Sequence, residues 1–303
     1  MASTLSAVVP FKTFGHAVNQ PLDSSLLQWQ GHRVHVTESG RGDPLLLLTG
    51  LGGNTDQWAP FMEQFRTRRI IRFDAPGTGR SSTPMYPVSI VELANLAAAV
   101  LDDRGVRWAD VIGFSYGGFV AQQLAHDHPT RVRRLVLAAT NFGIGSVLGS
   151  VSAMAALATP LRYYSPTHFD RTAAATYGGV TARDPSVRRG LMAARLRHPP
   201  SSYGYAMQLL GLSGWSSWPI LHKIPHETLV IGGDDDPLVP IANAVTLARR
   251  IPRAKLEIVE RGGHLLLWDD PQNLGERIGR FLNAAHATDT VEVLKPRGTR
   301  GTV

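Results

Sequence analysis

Apolar residues along this chain come in short runs, and the stretches between them have helical spacing. Eight segments read as strands: 26–30, 33–37, 45–49, 70–73, 110–114, 135–139, 228–232 and 256–259. Several are apolar at nearly every position, as in LLLL at 45–48, LVLAA at 135–139 and TLVIGG at 228–233. A strand with one wet face alternates, whereas a strand covered on both faces is apolar throughout. Helix-like stretches follow at 89–104, 117–127, 240–250 and 271–285. The last begins Asp270-Pro271, an acidic cap and then proline at the first helical position, where the missing N–H is not needed. Strand alternating with helix predicts an α/β fold, with a mostly parallel eight-stranded sheet and helices on both faces.

Residues 143–222 break that rhythm. They hold glycines at 143, 145 and 149, an alanine-rich stretch, and then Tyr163, Tyr164, Tyr177, Tyr203, Tyr205, Trp215 and Trp218 among prolines. No strand pattern is visible until after Ile224. An irregular loop of this length is uncommon inside a domain. The segment is therefore expected to be a mainly helical lid, inserted after the sixth strand. The organisation expected is an N-terminal extension at 1–23, a core formed by 24–142 and 223–286, the lid at 143–222, and a polar, disordered tail at 287–303.

The chain's 303 residues suffice for one large domain with such an insertion. No apolar run approaches the ~20 residues of a membrane span. The apolar patch at 5–10 lacks a basic flank and a cleavage site, so no signal peptide is read. Cysteine is absent, which removes disulfides, thiolate ligands and a cysteine nucleophile together and fits a cytoplasmic protein. The net charge of +7 is spread out, apart from Lys295, Arg297 and Arg300 near the end. Without basic and aromatic residues interleaved, no nucleic-acid partner is expected. Histidines and carboxylates are not grouped at ligand spacing, so no metal is expected.

The chemistry concentrates at the ends of the expected strands. Gly113-Phe114-Ser115-Tyr116-Gly117 joins the strand at 110–114 to the helix at 117–127. In that context G-x-S-x-G is a sharp turn that lifts the serine hydroxyl above the sheet, with helix amides behind it. A serine needs a base. Of the 11 histidines, His264 has a Gly262-Gly263 lead-in and follows the last strand. The base needs an orienting carboxylate, and Asp234, Asp235 and Asp236 all follow the strand at 228–232. Thr49-Gly50-Leu51-Gly52-Gly53 is a glycine loop without the lysine of a P-loop or the spacing of a dinucleotide fingerprint. Asp74, in a Gly/Pro-rich loop, reads as a turn-stabilising acid.

Together LLLLTGLGG, FDAPGTGRSS, VIGFSYGG, RLVLAAT, TLVIGGDDDPLVP and GGHLLL resemble the α/β-hydrolase superfamily over roughly 26–285. The resemblance implies Ser115 as nucleophile and His264 as base. It selects Asp236 as the acid, because the family commonly has Asp-x-x-(Val/Leu)-Pro there. It also implies an oxyanion hole from the backbone amides of Leu51 and Tyr116. No cofactor is required by such a site. A closer likeness is to the intracellular medium-chain poly(3-hydroxyalkanoate) depolymerases. It is carried by SSTP at 81–84, AHDHPTRVRRLVLAAT, Thr176-Tyr177-Gly178-Gly179, Gly214-Trp215-Ser216-Ser217 and GDDDPLVPI. Tyr116 stands where those enzymes typically carry tryptophan. The implied function is acyl-enzyme hydrolysis of a 3-hydroxyacyl ester, polymeric or oligomeric, with a polyester granule surface as partner. The rival expectations are a carboxylesterase or lactonase for small soluble esters, a carbon–carbon bond hydrolase, and a non-catalytic binding protein on the same fold.

Overall fold

A computed structural model describes residues 22–284. The expected tail at 287–303 and all but the end of the expected extension lie outside that range. Eight strands form one sheet: β1 (Leu22–Trp29), β2 (His32–Ser39), β3 (Pro44–Leu48), β4 (Arg69–Phe73), β5 (Ala109–Phe114), β6 (Val132–Ala138), β7 (Glu227–Gly233) and β8 (Ala254–Val259). Their order is β1-β2-β4-β3-β5-β6-β7-β8. β1, β2 and β4 pair antiparallel, and every pair from β4 to β8 is parallel. The first expected strand runs one residue too far. Gln30 (φ 43°) and Gly31 (φ 80°) form the tight turn that starts β2.

The apolar runs divide by parity. Leu46, Leu48, Ile71, Val111, Leu135 and Leu137 face one side, where they pack with α2 (Ile90–Asp103), α3 (Tyr116–Asp127) and α9 (Ile241–Arg250). Leu45, Leu47, Ile70, Ile112, Val136 and Ala138 face the other, with α1 (Ala59–Met62), α10 (Leu266–Asp269) and α11 (Pro271–Asn283). Period-two side chains need an apolar residue at every position when both faces are covered. α2 starts on a capping box, in which Ser89 accepts from the Glu92 amide and Glu92 reaches back to the Ser89 N–H. α1 and α10 are single turns, too short to leave a periodic signal.

Between β6 and β7 the chain builds α4 (Val151–Leu157), α5 (Pro166–Tyr177), α6 (Gly179–Arg183), α7 (Pro185–Arg197) and α8 (Ser202–Leu212). Four of these start on a side-chain cap, from Ser150, Ser165, Asp184 and Ser201. This connection sends Tyr163, Phe169, Tyr177 and Tyr205 into the two cores. It meets the carboxyl ends of the parallel strands at Leu51, after β3, and at Asp235, after β7.

Candidate active site

β5 ends at Phe114 and α3 begins at Tyr116, so Ser115 alone reverses the chain. It does so at φ 52°, ψ −117°, a backbone state that costs a non-glycine residue about 1–3 kcal/mol. The turn is pinned on both sides. The Ser115 N–H donates to the Ala138 carbonyl (2.9 Å), and the Ser115 carbonyl accepts from the Gly118 N–H and the Thr140 hydroxyl, both at 2.8 Å. A Cβ on Gly117 would stand 2.1 Å from the Leu48 carbonyl oxygen. That oxygen belongs to β3, and glycine is what lets α3 sit so close to it.

His264 comes in from the opposite side. Its N–H donates to the Tyr177 carbonyl at the end of α5 (2.6 Å). A Cβ on Gly263 would lie 2.2 Å from that same oxygen. The glycine lead-in thus allows the histidine loop to be clamped by α5. Phe114 and Tyr177 flank the ring, with centroids at 5.3 and 6.3 Å. Nε2 lies 3.0 Å from Ser115 Oγ and Nδ1 lies 2.9 Å from Asp236 Oδ2. Asp236 is buried, and its Oδ1 accepts from the Leu238 and Val239 amides (2.8 and 2.9 Å). All three side chains expected to act together are brought together.

The neighbouring aspartates do other work. Asp234 is exposed on the turn. Asp235 accepts from the Gly179 N–H (2.9 Å) and from Arg183 (3.0 Å), fixing α6 against the β7 loop. Asp74 ties three segments, accepting from the Thr55 N–H (2.7 Å), the Arg80 N–H (2.9 Å) and the His35 ring (3.0 Å). It holds the loops and takes no place beside Ser115.

The glycine loop passes over the serine. A Cβ on Gly50 would be 3.5 Å from Ser115 Cβ. The loop closes with Gly53 N–H to the Gly50 carbonyl (2.9 Å). Residues from the β6–β7 connection hold it: the Tyr163 hydroxyl donates to the Leu51 carbonyl (2.5 Å), and Gln208 accepts from the Gly52 N–H (2.9 Å). Leu51, Ser115 and His264 share one cavity. Tyr116 is the first residue of α3, so its N–H has no intrahelical acceptor. Its side chain lines a separate cavity with Leu48, Leu93 and Val120, and burial pushes its phenol above the usual range. The residue after the serine thus stands first in α3 and buries its side chain in the core.

A hydroxyl, an imidazole and a buried carboxylate in this order can pass a proton from the serine to Nε2 while the carboxylate stabilises the resulting imidazolium. Among the described residues no group of three histidines or carboxylates stands close enough to hold a metal ion. Three cavity-lining residues carried no signal in the sequence. Gln57, Arg162 and Arg195 sit in polar or arginine-rich stretches without a motif, and only the fold turns them inward.

A family model described as alpha/beta hydrolase fold matches residues 43–271. The chain is 40% identical over 259 residues to the poly(3-hydroxyalkanoate) depolymerase of Ectopseudomonas oleovorans, covering 85% of this chain and 89% of that protein. It is 31% identical over 272 residues to the 2-hydroxymuconate semialdehyde hydrolase of Pseudomonas sp. (strain CF600), covering 85% and 93%. Among solved structures, a hydrolase from Pseudomonas aeruginosa PA01 superposes with a TM-score of 0.72 at 25% identity, covering 89% of this chain and 100% of that one.

Proposed function

The chain belongs to the alpha/beta hydrolase fold family, and on that premise we propose that it is a serine hydrolase of 3-hydroxyacyl esters, polymeric or oligomeric. The observation that carries this reading is the hydrogen-bonded chain from Ser115 through His264 to Asp236, at 3.0 and 2.9 Å, on a strained turn at a helix N-terminus. In the mechanism we propose, His264 takes the proton as Ser115 Oγ attacks the ester carbonyl. The Leu51 and Tyr116 amides hold the oxyanion, a donor of this kind being worth about 3 kcal/mol in the transition state. His264 then protonates the leaving alcohol, and water activated by the same imidazole frees the acid. Residues 143–222 act as the lid over this site.

The polyester part of the reading rests on the likeness to the depolymerase, which extends over 85% of the chain. It is supported by an exposed apolar face formed by Ile144, Val147, Leu148, Val151 and Met154. The same segment sends Leu157 into the cavity beside Ser115. Exposed apolar residues on a segment that also lines the cavity suit adsorption to a hydrophobic polymer surface. No helix among the described residues is long and apolar enough to cross a membrane, and we place the protein in the cytoplasm, at such granules.

The test is a substrate panel run with the wild type and Ser115→Ala: emulsified medium-chain polyester, 3-hydroxyacyl oligomers and short p-nitrophenyl esters. Turnover of the polyester and oligomers, abolished in Ser115→Ala, is expected. Turnover of p-nitrophenyl esters alone would defeat the polyester reading, and retained activity in Ser115→Ala would defeat the assignment of the nucleophile. A second reading, carbon–carbon hydrolysis of a dienoate, is favoured by the likeness to the 2-hydroxymuconate semialdehyde hydrolase. Turnover of a ring-fission dienoate in the same panel would select it.

A further inference from the structure

Arg195, on α7, is 3% exposed and lines the cavity that holds Ser115 and His264. Its guanidinium lies over the rings of Phe169, Tyr163 and Tyr177, at 4.6, 5.0 and 5.3 Å. Ring faces steady a cation but take none of its in-plane N–H bonds. Among the described residues its Nε and Nη1 have no hydrogen-bond partner and it forms no ion pair. Two more buried donors, on residues that line the same cavity, are likewise unpartnered there: the Gln57 amide nitrogen and the Tyr177 hydroxyl, on residues 8% and 2% exposed. Arg162 is a second buried guanidinium there, its N–H groups directed to the carbonyls of Ala156, Thr159 and Leu51. Asp236 is directed elsewhere, to His264 and two amides, and forms no ion pair with either arginine.

A buried charge is normally paired, and buried polar groups normally find partners. Here a fixed positive charge and unmatched donors belong to residues that line the same small space as the serine. The missing complement is a group that is both anionic and rich in acceptors. We infer that Arg195, with Gln57 and Tyr177, forms a subsite for a substrate carboxylate. The inference rests on the reading that Ser115 attacks 3-hydroxyacyl esters, and it narrows that reading to chain ends. At the acid end of such an oligomer, the carboxylate lies on the alcohol side, separated from the scissile acyl group only by the ester oxygen and two carbons. Holding it beside Ser115 selects the last ester bond. Attack breaks the acyl C–O bond, the terminal 3-hydroxy acid departs with the proton from His264, and water then releases the shortened chain as a new free acid. Each turnover regenerates the feature that is recognised.

Binding tests the subsite without requiring polyester turnover. Inhibition of p-nitrophenyl ester hydrolysis is measured with 3-hydroxyoctanoate and with its methyl ester, in the wild type, Arg195→Met and Tyr177→Phe. The free acid is expected to bind the wild type at least about tenfold more tightly than the methyl ester, as suits a charge-assisted hydrogen bond. That ratio should fall close to one in Arg195→Met. Tyr177→Phe removes one oxygen and should lower it about threefold. Equal binding of acid and ester by the wild type, or a ratio unchanged in both variants, overturns the subsite. A second arm compares cleavage of a 3-hydroxyoctanoyl dimer as free acid and as methyl ester. Preference for the acid supports chain-end attack, and equal rates overturn it. If neither dimer is cleaved while the acid ratio holds, the 3-hydroxyacyl ester reading fails and the carboxylate subsite stands.

Discussion

Replacing Asp236 with asparagine separates orientation from mere proximity in the proposed triad. The carboxylate has two distinct oxygens. Oδ1 accepts from the Leu238 and Val239 amides, and Oδ2 faces His264 Nδ1 at 2.9 Å. An asparagine keeps its oxygen against the two amide donors, since its NH2 group there would face N–H on both sides. The NH2 then points at Nδ1, which must become an acceptor. The imidazole proton moves to Nε2, the atom 3.0 Å from Ser115 Oγ, and the histidine can no longer take the hydroxyl proton. A wrong-tautomer defect of this kind lowers kcat by about 10⁴-fold, or about 5 kcal/mol in the barrier. Only one hydrogen bond changes, so the melting temperature should move by a few degrees at most. The assay is kcat on a p-nitrophenyl ester beside a thermal melt, with Asp234→Asn as control. Asp234 is exposed, and its variant should remain within about twofold of wild type. Asp236→Asn retaining activity within tenfold of wild type, or Asp234→Asn losing as much, would rule out Asp236 as the orienting acid.

Two further substitutions probe the frame around the site. Gly263→Ala places a Cβ 2.2 Å from the Tyr177 carbonyl oxygen; it should lower stability by about 1–3 kcal/mol and, by displacing His264, lower kcat about 100-fold, as read by denaturant unfolding and steady-state kinetics. Asp269 accepts from the Val180 and Thr181 amides and the Thr181 hydroxyl, yet burial outweighs these and pushes its carboxyl up to about 6 from 3.8. The native state then holds a proton between about pH 4 and pH 6 that the unfolded chain has released. The stability of the wild type relative to Asp269→Asn should therefore fall as pH rises through that window, by up to about 3 kcal/mol; urea unfolding at several pH values checks it, and a pH-independent difference would count against a raised carboxyl.

Much of the fold was legible because burial on two faces leaves a one-dimensional record. The LLLL run of β3 could be read as a doubly covered strand before its neighbours were known, and the structure divides it between two cores. Single-turn helices such as α1 and α10 leave no such record. The turn at Ser115 was equally local, since strand, serine, glycine and helix follow one another within a few residues. The three aspartates at 234–236 could be separated only by a family pattern, because sequence adjacency gives them equal claims. Backbone geometry turns one inward to His264, one towards Gly179 and one to solvent.

The layered α/β architecture, the sharp turn at Ser115 and the order in which its partners follow along the chain are all local enough to be read from the residues alone. These depend on contacts within a few residues or on a repeating pattern of burial. Long-range packing is what lets the end of α5 clamp the His264 loop, Gln208 and Tyr163 hold the Leu51 loop, and Arg195 line the cavity, where no acid among the described residues meets it. Each of those joins residues about 80 to 160 positions apart. An arginine on a helix looks the same in sequence whether it faces solvent or a buried serine, and the packing of one segment on another is what tells them apart.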